Sequence, residues 1–371
     1  MRNSFLLLCL MGLMLNSQAQ TDYSELALKQ KGSWKVLTEK HYERVSPTEK
    51  AECKPILDRF QQLLKNNLPA PIGFNFYVWN DFKMPDEPAL GNFKTKSYRT
   101  IMQVKEFGVN SKNEIGELSK TRTTLSIQVN SFWKVGDRYA FGNDTLMGLP
   151  VNRKKLNGID YFERNYGNKL DTLRCFIIAK DINQLLKPYT RKTYLEKKSA
   201  LLKKEVELKK ETIKNSYKIR TANEQLADRN NGLEKLAKRY KGEELKNKQA
   251  EFLAAYKTDI QLLSELITKV QQDQQDQIDR IEKLLRNDEA WLSQTAVVQP
   301  GANAFFQFDD DKPNAWALYS LNPSYFKTDL SKVKPQFIAI IFSQESESAA
   351  SVKWNNQMLQ LPFSALKDLL Q

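Results

Sequence analysis

His41 is the only histidine of the chain, which excludes a histidine-rich zinc site and leaves any Ser-His-Asp scheme resting on one residue. The chain has no Gly-x-Ser-x-Gly elbow, no His-Glu-x-x-His and no glycine-rich phosphate loop, so hydrolytic and nucleotide chemistry lose most of their support. His41 reads instead as a structural histidine near the start of a folded body. The Ser-x-x-Lys spacings at Ser331 to Lys334 and at Ser364 to Lys367 have the form used in acyl-enzyme chemistry. A lysine-rich chain produces such pairs by chance, no Lys-Thr-Gly accompanies them, and Ser364 is explained as the cap of a last helix. Asp309-Asp310-Asp311 lacks the alternating oxygen ligands and the glycine of a calcium loop, and reads as a solvated turn before Pro313. Glu345 and Glu347 would share one face of a continued strand. Glycoside hydrolysis needs two carboxylates ~5 to 9.5 Å apart, but the serines and alanines around this pair read as a loop. Trp79, Trp133, Trp316 and Trp354 could bind carbohydrate, although aromatic residues at strand spacing are core formers first. No catalytic, cofactor-binding or metal-binding residue is therefore assigned, and the reading is of a protein more readily non-enzymatic than enzymatic.

The elements that would position these residues begin after a leader. Arg2, the apolar run Phe5 to Leu15 and Ser17-Gln18-Ala19 form a secretory signal peptide over residues 1–19, cleaved after Ala19. The run is too short to span a hydrocarbon core of ~30 Å, and no later segment is apolar for long enough, so the mature chain is expected to lack a transmembrane segment. Cys9 lies inside the run behind three leucines, without the small residue that a lipidation site requires. Export to the periplasm or the exterior permits a disulfide between Cys53 and Cys175, and two buried free thiols fit equally well. The formal charge of +13 invites an acidic partner. Export and the dispersal of basic residues argue against nucleic acid, which leaves an anionic surface or polysaccharide.

Residues 20–188 read as the first part of an α+β body with a mostly antiparallel sheet. Ser46-Pro47-Thr48-Glu49 starts a helix that runs toward Asn67, with Pro55 expected to kink or divide it. Strands are expected at Gly73 to Phe82, Tyr98 to Val109, Thr123 to Trp133 and Thr172 to Ala179, the last central and covered on both faces. Residues 297–371 resume the body with strands at Ala304 to Phe308, Ala315 to Leu321 and Gln336 to Phe342. A hairpin over Val352 to Leu361 and a helix over Ser364 to Leu370 follow. Strands from the two parts should pair, since an uncovered edge is a liability.

Between these parts, residues 189–296 read as an inserted antiparallel coiled-coil hairpin of long charged helices. Thr190 caps its start, with Tyr189 and Tyr194 as a staple. Tyr256, Ile260, Leu263, Ile267, Val270, Gln274, Gln277, Ile281, Leu284 and Trp291 supply a seam spaced by four and three. The tip lies at Asn230-Asn231-Gly232 or at Lys241-Gly242. The second is favoured because it divides the segment into arms of about 53 residues, roughly 80 Å each. Tyr189 to Lys241 carries sixteen basic against seven acidic residues, and Gly242 to Ala296 seven against eleven, so the arms attract one another.

Pro71-Ile72-Gly73-Phe74, Ile127-Gln128-Val129-Asn130, Asn322-Pro323-Ser324-Tyr325-Phe326 and Pro335-Gln336-Phe337-Ile338 together resemble uncharacterised exported proteins of Gram-negative bacteria. The resemblance implies export and a divided body, and carries no activity and no site residues. The function expected is that of an exported non-enzymatic envelope or secreted protein, its coiled-coil arm serving a protein partner or acting as a spacer. The alternatives are a secreted hydrolase and a protein that binds carbohydrate or an anionic ligand at the envelope.

Overall fold

A computed structural model of the chain describes residues 25–41, 45–82, 95–118, 123–141, 144–165, 172–298, 308, 315–327, 329–344 and 349–371. The leader, the strand expected at Ala304 to Phe308 (Phe308 apart), Asp309 to Asp311, and Glu345 and Glu347 lie outside these residues. Helix α1, Pro47–Asn67, begins as its sequence requires. Ser46 accepts from the Glu49 amide, the Glu49 side chain accepts from the Ser46 amide, and Pro47 opens the first turn. Pro55 does not divide the helix, and α1 continues through it. Pro55 faces solvent, while Cys53, Ile56, Leu57, Phe60, Leu63 and Leu64 are buried. Six such side chains at ~1.5 to 3 kcal/mol each outweigh the ~3 kcal/mol cost of an internal proline.

Fourteen strands are described. They are β1 (Trp34–Val36), β2 (Phe74–Asp81), β3 (Tyr98–Val109), β4 (Ile115–Glu117), β5 (Thr124–Val129), β6 (Asp137–Phe141), β7 (Asp144–Pro150), β8 (Lys154–Leu156), β9 (Ile159–Asn165), β10 (Thr172–Ala179), β11 (Leu186–Pro188), β12 (Val297–Val298), β13 (Trp316–Leu321) and β14 (Phe337–Gln344). Among the described residues nine of them form one sheet in the order β1-β2-β3-β5-β14-β10-β9-β8, with β4 on β3. The sheet is mixed rather than antiparallel, because β1 runs parallel to β2. Helix α1 lies between these two strands in the chain and returns it in the same direction, as a parallel pair requires.

Strand β10 lies between β9 and β14 and feeds two cores. Phe176 and Ile178 join the core beneath α1, and Leu173, Cys175, Ile177 and Ala179 join the core on the opposite face. That second core is shared with a second, unanticipated sheet of five described strands, β11-β13-β7-β6 with β12 on β13. Cys53 and Cys175 therefore stand on opposite sides of the larger sheet. Both are free and buried, and burial pushes each thiol up to about 12.

Two C-terminal expectations are corrected. Ala349–Leu359 is a helix and not part of a hairpin, with Trp354 and Met358 four apart and both in the core. Phe363–Leu369 is a 3₁₀ helix preceded by Pro362, and Ser364 does not cap it. Its Phe363 and Leu366, and Leu370 just after it, are buried at spacings of three and four.

The chain divides into two compact units, Thr190–Gln294 and the residues on either side of it. Thr190–Gln294 does not form two continuous arms. Its long helices are α2 (Arg191–Ser216), α3 (Ala222–Arg239), α4 (Gly242–Ala255) and α5 (Asp259–Leu284). Each of the three interruptions begins with Tyr-Lys, and Tyr217, Tyr240 and Tyr256 are the extended residues that end the preceding helices. Capping boxes restart the chain at Thr221 with Glu224 and at Thr258 with Gln261. Asn230-Asn231-Gly232 does not interrupt α3, and the Phe252 ring of α4 packs where a side chain at 232 would stand, which accounts for a glycine inside the helix. Helix α2 pairs with α5 and α3 with α4. Lys203 of α2 pairs with Glu282 of α5, and Lys192 to Glu289 and Arg220 to Asp259 at either end pair in the same reversed order, so α2 and α5 run antiparallel. Leu202, Val206, Ile278 and Ile281 are buried, but Ile260 of the expected seam is 65% exposed. Among the described residues no helix is long and apolar enough to cross a membrane.

Candidate binding face of the larger sheet

Strand β2 alternates Phe74, Phe76 and Val78 toward the α1 core with Asn75, Tyr77, Trp79 and Asp81 on the other face. Pairing continues that second face across its neighbours. Lys35 lies beside Tyr77, and Asn75, Tyr77, Trp79 and Asp81 stand opposite Lys105, Gln103, Ile101 and Arg99. Successive β2 positions on this face are ~7 Å apart. The result is a row of aromatic rings between cationic side chains.

The cations are held on the rings. Lys35 and Lys105 lie 4.8 and 4.6 Å from the centre of Tyr77, and Lys40 lies 4.9 Å from Trp79. Arg99 and Lys134 lie 4.6 and 4.7 Å from Trp133. Trp133 is displayed by an anchored loop. Asn130 is wholly buried with φ +51, accepts from the Gln336 amide at 2.9 Å and donates to the Lys334 carbonyl at 2.9 Å. Asparagine tolerates this left-handed conformation better than most residues. Phe132 stacks on Phe337 at 4.2 Å, so the loop is fixed from below while Trp133 remains half-buried above.

One end of the row is closed by His41. The chain follows β2 as far as Lys40 and turns at His41, whose φ is +54. Its Nδ1 then lies 2.8 Å from Asp81 Oδ1, while Arg99 Nη2 donates to Asp81 Oδ2 at 2.8 Å. The Asp81 side chain is only 7% exposed, so it acts as a buried anchor for the Arg99 guanidinium. Among the described residues the imidazole bonds to Asp81 alone, which orients the ring without placing a nucleophile on it.

At the other end Glu117 of β4 collects donors. Asn75 Nδ2 and Lys35 Nζ donate to Oε1 at 2.6 and 2.9 Å, and the Tyr77 hydroxyl spans both oxygens at 2.6 and 2.8 Å. Lys105 Nζ is 3.9 Å away. Partial burial opposes ionisation of Glu117. The hydrogen bonds from Tyr77, Lys35 and Asn75 outweigh it and bring the carboxyl down to about 2. Asp81 and Glu117 are thus engaged internally, and among the described residues the cations give the face a positive balance suited to an anion.

Of the residues that sequence reading considered, this face includes His41, Trp79 and Trp133. Trp316 and Trp354 are buried. Ser331 and Lys334 belong to a turn closed by the Lys334 amide on the Ser331 carbonyl, and their side chains do not bond to each other. Ser364 and Lys367 are exposed on the last 3₁₀ helix. Lys35, Tyr77, Arg99, Lys105 and Glu117 were missed. The alternation in Phe74 to Asp81 was a usable signal for Tyr77, because a two-faced strand with aromatic residues on its wet face needs an explanation. No family model matches the chain, and no curated protein or solved structure matches it.

Proposed function

We propose that this is an exported, non-enzymatic binding protein whose larger sheet holds an anionic polysaccharide on the face of β2 and β3. The observation that carries the reading is the set of five cationic side chains resting on Tyr77, Trp79 and Trp133. Each exposed pair contributes only ~0.5 to 1 kcal/mol, but an aromatic support limits the freedom that a lysine or arginine loses on meeting an anion. Several weak anion contacts in a row suit a repeating polymer, whose later contacts form at high effective concentration. Arg2, Phe5 to Leu15 and Ala19 support export to the compartment where such polymers occur.

The test is calorimetric titration with polygalacturonate and with neutral dextran at two salt concentrations. The acidic polymer alone should bind, more weakly in high salt, and Trp133→Ala and Arg99→Ala should each weaken it at least tenfold. Equal binding of dextran, or full affinity in both variants, would reject the reading.

A second reading concerns Thr190–Gln294, as an antiparallel coiled-coil arm for a protein partner. It is favoured by Leu226, Leu253, Ile260 and Leu266, which are large apolar residues left 43 to 65% exposed.

A further inference from the structure

The polysaccharide reading does not by itself choose between carboxylate and sulfate. The Glu117 contacts do. Four side chains converge on one planar, two-oxygen anion, and the deepest of them, Asn75, is 5% exposed. Its orientation is fixed from behind. Ser33 donates its amide and its hydroxyl to Asn75 Oδ1 at 2.7 and 3.1 Å, which turns Nδ2 toward Glu117. Tyr77 is fixed in the same way, because it accepts from Lys35 Nζ at 2.8 Å and donates toward the carboxylate. The donors therefore belong to the body of the sheet and are arranged by it. Every hydrogen bond of the set, from Asn75, Lys35 and Tyr77, falls on the two oxygens of that one plane.

The segment that supplies the anion is held far less firmly. None of residues 110–118 is buried, and β4 meets β3 over only three pairs, from Phe107 with Glu117 to Val109 with Ile115. A Cβ on Gly116 would touch nothing within 4 Å. A short edge ladder with no buried apolar side chain lies at the low end of local stability. Beyond that ladder it is held by the Leu118 amide on the Glu106 carbonyl at 2.8 Å, by Leu118 packed over Gly108, and by the Glu117 side chain.

We infer that Glu117 is a resident stand-in for a ligand carboxylate, and that β4 lifts to admit a uronate group of the polysaccharide to Asn75, Tyr77, Lys35 and Lys105. The inference rests on the polysaccharide reading and names its acid group. Glu117 competes from within the chain, and a polymer with further contacts along β2 displaces it.

Two variants test it, Glu117→Ala and Glu117→Gln, the second preserving shape should the first fold poorly. Both should bind polygalacturonate more tightly than the parent chain, Glu117→Ala by about tenfold once the competitor is gone. D-glucuronate at millimolar concentration should raise the melting temperature of Glu117→Ala more than that of the parent, while its methyl ester and inorganic sulfate should not. Unchanged or weaker polymer binding in both variants, or equal protection by sulfate, would overturn the inference. The two readings can fail separately. If the parent and Glu117→Gln bind no anionic polymer, the polysaccharide reading falls, while glucuronate protection of Glu117→Ala still reports a carboxylate site. If the parent binds polymer through Trp133 and Arg99 and neither Glu117 variant gains, the inference alone falls.

Discussion

The amide of Ala296 donates to the carbonyl of Tyr189 at 2.8 Å, although all of Thr190–Gln294 separates them in the chain. The surrounding ladder keeps both residues in place. Tyr189 donates to the Leu318 carbonyl and Leu318 to the Ala296 carbonyl, each at 2.9 Å. Two chain ends held this way need only a short turn to join them.

Deleting Thr190–Gln294 and bridging Tyr189 to Thr295 with about four Gly-Ser residues should leave a cooperatively folding body. Urea unfolding followed by tryptophan fluorescence should give a single transition, and polygalacturonate affinity should be unchanged. Any protein partner captured by the full chain should be lost. An insoluble or non-cooperative product would show that the body needs the helical unit in order to fold.

Gly232 and Phe252 allow a prediction whose sign changes with background. Glycine inside a helix costs ~1 kcal/mol relative to alanine, so Gly232→Ala should stabilise α3 by propensity. The Phe252 ring occupies the space of the new methyl group, however, and overpacking costs ~1 to 3 kcal/mol. Gly232→Ala should destabilise the parent chain and stabilise a Phe252→Ala chain by ~1 kcal/mol, as read by thermal unfolding of the helical signal. The same sign in both backgrounds would mean that the ring does not hold this glycine in place.

These two residues also show what could be read in advance. The capping box at Ser46 and the long apolar strands at Tyr98 and Thr172 were legible because their signals are local. Asn230-Asn231-Gly232 looked like a terminator, and only Phe252, twenty residues on, explains why a glycine stands inside the helix. Thr221 with Glu224 and Thr258 with Gln261 were legible capping boxes, obscured by the assumption of two unbroken arms. Strand β1 could not be read as a parallel partner of β2, since three residues carry no register information without α1 to set direction. The candidate face is assembled from β1, β2, β3, β4 and the Trp133 loop. Its single strands were visible, and their pairing was not.

Asp81 is the buried support of one end of that face. Its removal would leave the Arg99 guanidinium, whose side chain is 13% exposed, without its carboxylate, and would release His41 from a left-handed backbone conformation. Breaking a buried pair from one side costs ~3 kcal/mol or more. Asp81→Ala should lower the unfolding free energy by about that amount. Loss of Arg99 from Trp133 should also weaken polymer binding beyond what a purely structural defect predicts. Arg99→Met combined with Asp81→Ala should recover much of the stability but none of the binding. A cost below ~1 kcal/mol for Asp81→Ala would place this pair among ordinary surface ion pairs.

Glu117 should make stability depend on pH in a known direction. A free glutamate titrates near 4.5, whereas Glu117 is brought to about 2 by hydrogen bonds that overcome its partial burial. Because the folded value lies below the unfolded one, the contribution is complete above about pH 4.5. It is lost as pH falls through about 2, since the unfolded chain takes up the proton first. Glu49 is also lowered, by hydrogen bonds from Lys96 and Ser46 that overcome its desolvation, and Asp259 is lowered to about 2 by Arg220. The parent chain thus sums several groups of one sign. Comparison with Glu117→Gln isolates the single site. Urea midpoints measured from about pH 5 down to about pH 2 should fall more steeply for the parent than for Glu117→Gln, with the curves converging at the acid end. Parallel curves across that window would mean that the four donors around Glu117 do not favour its ionised form.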